Sequence, residues 1–357
     1  MARCAAPARA ARRVVDARRR LDRDSTARMA SRLARTRVKN TPRRWRASSA
    51  ARAATRGRGR RATPFAPLEI SAASRGAARA ARARGRRVVV VPGFLTGSDA
   101  YEGVARALAR AIGDDARVRV APVKREMWFG TLRGGSFEEI LDVVDACARE
   151  AARDGGERVC LVGHSAGGWL GRLYLGDARA YRGEAPYDGA RFVDALITLG
   201  APHGSLEKYP FGRVRENRPG ESESMPDDAR GSSLAFTNYY YPGAYRADVR
   251  YVDVVGDYAR GSANFELFDA LCDRSDTKRP LVDRVRAAWE AFTIGVSYAA
   301  NCGRADVRGD GVTPIDTAHA LTGSEHVILP GVYHGPTKPT RWYGADSVVE
   351  LWYPYCL

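Results

Sequence analysis

The chain has 357 residues, room for one large domain or two of ordinary size, and a formal net charge of +17 at pH 7. Met1 to Arg87 holds 26 Arg and one Lys against four acidic residues, a balance of +23, which leaves −6 for Val88 to Leu357. No run of residues approaches the ~18 consecutive apolar positions of a membrane span, so a soluble protein is expected.

The first 85 residues are Arg- and Ala-rich, poor in acids and without an apolar core segment, which excludes a secretory signal. That composition fits an organelle transit peptide or disordered leader, with the chloroplast (plastid) expected and the mitochondrion as alternative. A basic arm binding RNA or an anionic membrane is the competing reading. Only Trp45 and Phe65 are interleaved for base stacking, so no nucleic-acid partner is expected. The six cysteines (Cys4, Cys147, Cys160, Cys272, Cys302 and Cys356) are widely spaced without a C-x-x-C pair, so no zinc site or other metal centre is expected. Cys147 and Cys160 fall in core-like patterns and read as inert thiols. Cys272 and Cys302 flank a helical insertion, and a disulfide between them is not expected in a reducing compartment.

From about residue 86 the sequence alternates strand and helix patterns. Val88-Val89-Val90-Val91 is a β-branched run of the kind found in strands buried on both faces, followed by the Pro92-Gly93-Phe94-Leu95 loop. An amphipathic helix from about Ala100 carries Val104, Leu108 and Ile112 on one face. A strand within Arg117 to Val123, a loop with Met127, Trp128 and Phe129, and a helix from about Ser136 come next. The run Val159 to Gly163 is a further strand, and Phe192 to Leu199 another. Residues 203–247 are polar and Gly/Pro-rich, which predicts a lid-like insertion. A strand at Val249 to Val255, a helix at about 281–298, a short strand at His326 to Leu329 and a helix at about 347–352 complete the order. Such alternation predicts an α/β fold: a doubly wound, mostly parallel sheet with helices on both faces. Active groups then belong on the loops beyond the carboxyl ends of the strands.

Gly163-His164-Ser165-Ala166-Gly167 has the layout of a nucleophile elbow, in which a tight strand-to-helix turn lifts a serine hydroxyl above the sheet. A serine is a weak nucleophile until a base takes its proton, and that base needs a third group to orient it. In chain order Ser–acid–His, the base is His334, directly after the last strand, with His203 as the competitor. The acid is Asp310, within Gly-Asp-Gly-Val-Thr-Pro, with Asp257 as the alternative. The oxyanion donors would be the amides of Ala166 and Phe94, although Pro-Gly-Phe also reads as a plain turn. Leu95, Trp128, His164, Trp169 and His203 are possible pocket residues, and core packing accounts for them equally well.

The elbow, Thr198-Leu199-Gly200-Ala201-Pro202-His203, Gly309-Asp310-Gly311-Val312-Thr313-Pro314 and Gly331-Val332-Tyr333-His334 together resemble an α/β-hydrolase of the lipase/esterase kind, in particular the plastid-targeted α/β-hydrolase-fold proteins of plants and algae. The resemblance covers the chain from about Val88 to Leu351. It implies a Ser165–Asp310–His334 triad acting on carboxylic esters of small molecules or acyl lipids, without a cofactor and with peripheral membrane contact as an option. Where many lipases carry His-Gly after the first strand, this chain has Pro-Gly-Phe. An acyltransferase on the same triad and a non-catalytic binding protein on the same fold are the alternatives. Oligomeric state is not legible in the sequence.

Overall fold

The computed structural model describes residues 86–181, 185–206, 232–265 and 280–357. The leader at 1–85, Cys4, Cys272 and residues 207–231 of the lid-like insertion lie outside the described residues.

The described chain runs β1 (Val88–Val91), α1 (Glu102–Ile112), β2 (Val118–Val120), α2 (Met127–Leu132), α3 (Glu138–Gly155), β3 (Val159–His164), α4 (Ala166–Tyr174), β4 (Val193–Leu199), α5 (Ser233–Tyr240), β5 (Arg250–Asp257), β6 (Ala259–Arg260), α6 (Leu281–Cys302), β7 (Arg308–Gly309), α7 (Ile315–Ala318), β8 (Glu325–Pro330) and α8 (Asp346–Trp352). Six strands form one sheet in the order β2-β1-β3-β4-β5-β8, and every neighbouring pair is parallel. A small antiparallel pair, β6 with β7, stands beside it. This is the mostly parallel, doubly wound arrangement with helices on both faces that the alternation of strands and helices predicts.

The four-valine run explains why the sheet is covered on both sides. Side chains alternate along a strand, so Val89 and Val91 join one apolar layer while Val88 and Val90 join the other. The first layer is supplied by α3 and α4, through residues such as Ile140, Leu141, Leu170 and Leu173. The second is supplied by α1 and α8, through Val104, Leu108, Val348 and Trp352. Each fully buried aliphatic side chain contributes about 1.5–3 kcal/mol, so the spacing of Val104, Leu108 and Ile112 is itself a reason for α1 to dock.

Two stretches differ from the sequence expectation. Met127 and Trp128, expected in a loop, open the short helix α2. The helix forms because Trp128 is fully buried and its indole N–H donates to the Thr96 carbonyl at 2.8 Å, while Thr131 Oγ1 donates to the Trp128 carbonyl. Within the lid-like stretch, α5 forms because Leu234, Phe236 and Thr237 are buried and the Ser232 hydroxyl caps its first turn by accepting from Ala235 N. Tertiary burial, rather than local periodicity, stabilises both segments.

Registers Val91↔Gly163 and His164↔Leu199 bring the carboxyl ends of β1, β3 and β4 to one edge of the sheet, and Asp257↔Pro330 does the same for β5 and β8. The segments that carry Phe94, Ser165, His203 and His334 start from that edge, whereas Asp310 directly follows β7 of the small antiparallel pair.

Candidate active site

Ser165 joins β3 to α4 with φ 52° and ψ −123°, a conformation rarely adopted by a residue with a Cβ. Packing on both sides holds the turn. A methyl group on Gly163 would overlap the carbonyl of Gly167, and one on Gly167 would lie 2.7 Å from the Pro92 carbonyl oxygen. Only glycine lets the helix start pass this close to β1 and β3.

Asp310 and His334 meet across the sheet edge. Nδ1 of His334 lies 2.7 Å from Oδ2 of Asp310. The same oxygen accepts from the Tyr343 hydroxyl at 2.8 Å, while Oδ1 accepts from Val312 N at 3.0 Å and Thr313 N at 2.7 Å. Burial, and after it the Asp310 charge, raise the Tyr343 pKa well above the ordinary phenol value, so Tyr343 keeps its proton and donates. Asp310 is completely buried, with four donors aimed at its carboxylate. The His334 side chain retains 11% exposure. With Nδ1 committed to Asp310, Nε2 is the ring nitrogen left for a reacting group.

The backbone of His334 is pinned as well. Its N–H donates to the Asp310 carbonyl at 2.8 Å, and its carbonyl accepts from Nε2 of His164 at 2.8 Å. Among the described residues, no hydrogen bond joins the Ser165 hydroxyl to His334; such contacts often tighten only in the complex with substrate.

The turn after β1 lies against the elbow. Thr96 N donates to the Gly93 carbonyl at 3.2 Å, closing a four-residue turn with Leu95 at φ 56°. A methyl group on Gly93 would come within 3.1 Å of Ser165 Cβ, so the Phe94 turn abuts the serine. Ala166 opens α4, where the first amides have no intrahelical acceptor.

Asp257 is placed differently from Asp310. Its carboxylate accepts from Arg308 Nε at 2.7 Å on the β7 side, and it is its backbone carbonyl that accepts from Gly331 N of the His334 loop. A cavity of ≈ 450 Å³ beside the Phe94 turn is lined by Leu95, Val123, Lys124 and Arg125 among others. The other possible pocket residues are interior. Trp128 stacks edge-on with Phe94 and Phe137, and Trp169 packs on Phe137 at 5.1 Å between ring centroids. His164 lies beneath His334 with its ring centroid 4.8 Å away.

His203 belongs to a separate buried network. Its Nε2 lies 3.2 Å from Thr198 Oγ1, whose hydrogen goes to Asp253 Oδ1 at 3.0 Å, and its Nδ1 faces Arg172 Nη1 at 3.4 Å. Arg172 also donates to Asn238 Oδ1 and to the Tyr241 carbonyl, which ties the elbow helix to α5. Burial, then the Arg172 charge, hold His203 well below its ordinary pKa, so it is neutral. Burial raises the Asp253 carboxyl to about 8, and its Oδ2 has no hydrogen-bond partner among the described residues. A carboxyl raised on folding stabilises the fold fully below its unfolded value, about 4, and that contribution is lost as pH rises through the folded value. The melting temperature is therefore expected to decline between those limits, and Asp253→Asn to flatten the decline. Thermal melts across that range check this; parallel profiles for the two proteins would refute it.

Tyr101 and Tyr343 escaped the sequence reading. Neither lies in a motif, and each reaches the site from another element, 63 residues from His164 and 33 from Asp310 respectively. Cys147, Cys160, Cys302 and Cys356 carry free thiols. Among the described residues, no group of three or more His, Cys, Asp or Glu is placed to hold a metal ion, and no helix is long and apolar enough to cross a membrane.

No protein-family model matches this chain, and no curated protein matches it. Solved structures similar to it include the mature lipase BlEst2 of Bacillus licheniformis, at 16% identity and TM-score 0.39 over 75% of this chain and 88% of that one. Another is a thioesterase, described as putative, from Silicibacter sp., at 16% identity and TM-score 0.37 over 75% of this chain and 76% of that one. The phospholipase PlaB of Legionella pneumophila shares 14% identity at TM-score 0.39, over 70% and 54% of the two chains.

Proposed function

We propose that this protein is a serine hydrolase of carboxylic esters, with acyl lipids as its substrate class. The observation that supports this best is the buried carboxylate–imidazole pair, Asp310 Oδ2 to His334 Nδ1 at 2.7 Å, on the same sheet edge as a strained serine elbow.

In this reading Ser165 Oγ attacks the ester carbonyl carbon while its proton passes to His334 Nε2. Asp310 holds the imidazole in the tautomer with Nδ1 protonated and stabilises the imidazolium that forms. The tetrahedral oxyanion accepts from the amides of Ala166 and Phe94; one such donor is worth about 10²- to 10³-fold in rate. The alcohol departs with the proton from His334, leaving an acyl-enzyme. Water then attacks the acyl carbon, giving its proton to His334; the acyl–Oγ bond breaks as His334 returns that proton to Ser165, and the carboxylic acid is released.

A panel of lipid classes, from monoacylglycerols to galactolipids and phospholipids, tests the reading. Free fatty acid is the expected product, and its formation should stop after treatment with a fluorophosphonate that labels Ser165. In the presence of a competing alcohol, acyl transfer exceeding acid release would make the protein an acyltransferase on the same residues. Folded protein that neither turns over any ester nor takes the label would leave only binding on this fold.

A further inference from the structure

We propose that Tyr101 and His164 are positioning residues: a buried hydrogen-bonded chain through them sets the backbone of both the turn after β1 and the loop that presents His334. The inference rests on the assignment of Ser165, Asp310 and His334 given above.

The chain has three links. Gly93 N lies 2.8 Å from Tyr101 Oη, Tyr101 Oη lies 2.6 Å from His164 Nδ1, and His164 Nε2 lies 2.8 Å from the His334 carbonyl oxygen. Their directions are forced by what each atom can do. An amide N–H only donates, so the Tyr101 oxygen accepts from Gly93. A carbonyl only accepts, so His164 carries its hydrogen on Nε2. Nδ1 is then a lone pair, and the hydroxyl hydrogen of Tyr101 must point to it. The Thr96 hydroxyl is also a hydrogen-bonding neighbour of Tyr101, but its own hydrogen goes to the Gly93 carbonyl, and among the described residues Tyr101 is the one donor within reach of His164 Nδ1, so the Tyr101 hydrogen is assigned there.

The polar chain therefore has one arrangement, in which each donor has an acceptor. Both rings are buried, Tyr101 at 3% exposure and His164 at 6%. Burial, followed by the neighbouring His334 ring, lowers the His164 pKa to about 3. Burial likewise raises Tyr101 to about 12. Neither group changes charge near neutrality, which suits a fixed strut and not a proton carrier.

The three loops joined in this way are the ones that supply the reacting groups. Gly93 precedes Phe94, whose amide is assigned to the oxyanion. His164 precedes Ser165. The His334 carbonyl belongs to the base itself. His334 is thus held at its N–H by the Asp310 carbonyl, at its C=O by His164 and at Nδ1 by the Asp310 carboxylate. With the main chain pinned on both sides, the imidazole keeps its aim through the catalytic cycle. Loss of the chain should misplace groups that must converge within a few tenths of an ångström, and displacement of about 1 Å costs about 10²-fold in rate.

The test uses the full-length protein with a short soluble p-nitrophenyl ester and a fluorophosphonate probe. Tyr101→Phe keeps the ring and removes one oxygen. It is expected to lower kcat about 10- to 100-fold with KM within about twofold, and to slow labelling of Ser165 by a similar factor. His164→Leu should do the same, and His164→Gln, whose amide N–H can reach the His334 carbonyl, should recover part of the rate. A residue that only packs would lower the melting temperature and leave kcat of the folded fraction unchanged. Folded Tyr101→Phe with wild-type kcat and labelling would overturn the proposal and leave the Ser165 assignment intact. Wild-type protein whose label sits elsewhere than on Ser165 would overturn that assignment, and the proposal with it.

Discussion

Ser165→Ala is expected to lower kcat for an activated ester by about 10⁶-fold and to abolish fluorophosphonate labelling. The magnitude follows from what a nucleophile does in a triad: without it, the base and the acid have nothing to activate, and removing the serine costs about as much as removing all three. The substitution is chosen because it isolates chemistry from folding. Alanine retains the Cβ, so the strained φ of 52° and the contacts that enforce it are unchanged, and the melting temperature should stay within the range of a surface substitution. The small residual rate should reflect oxyanion stabilisation and binding alone. Single-turnover release of p-nitrophenolate, read beside a thermal melt, checks both halves of the expectation. Full activity in a folded Ser165→Ala protein would exclude the elbow as the reacting centre.

Asp310→Asn is expected to reduce kcat by about 10⁴-fold. The carboxylate now accepts four hydrogen bonds, from Val312 N, Thr313 N, Tyr343 Oη and His334 Nδ1. An asparagine can satisfy the two amides with its carbonyl oxygen. Its NH₂ would then stand where Oδ2 was, facing two donors. The imidazole can relieve that conflict only by moving its hydrogen to Nε2, which removes the lone pair that the serine proton needs. Asp257→Asn is expected to leave kcat within a few-fold, since that carboxylate faces Arg308 of β7. The two variants, assayed on the same ester with circular dichroism as a folding control, separate the alternatives. A larger loss for the Asp257 variant would transfer the acid role to it.

The strand alternation was legible because the signal is local. Val88 to Val91 is uniformly β-branched, and a strand that packs helices on both faces has no polar side to reveal. The elbow was legible as a local pattern too: Gly163 is demanded by Gly167 and Gly168 of its own turn, although Gly167 is demanded by Val91 and Pro92 far off in the sequence. Local patterning failed at α2, where one tryptophan seated under the Phe94 turn outweighs a weak helical pattern. It also failed to place His203, which looked like a strand-end functional residue and instead joins Arg172, Thr198 and Asp253 in the interior.

The sequence by itself determined the class of fold, the position of the serine turn and a short set of residues able to serve as acid and base. It could not choose between Asp310 and Asp257, because both lie between the serine and His334 and either fits the required order. Only the tertiary structure decided that Asp310 meets His334, since the contact spans 24 residues and depends on how β7 folds back onto β6. The same holds for Tyr101 and Tyr343: their hydroxyls matter through partners that no periodicity links to them. The partners of Asp310 and His334 were therefore decided by long-range packing, while the position of the serine turn was written largely in its immediate neighbours.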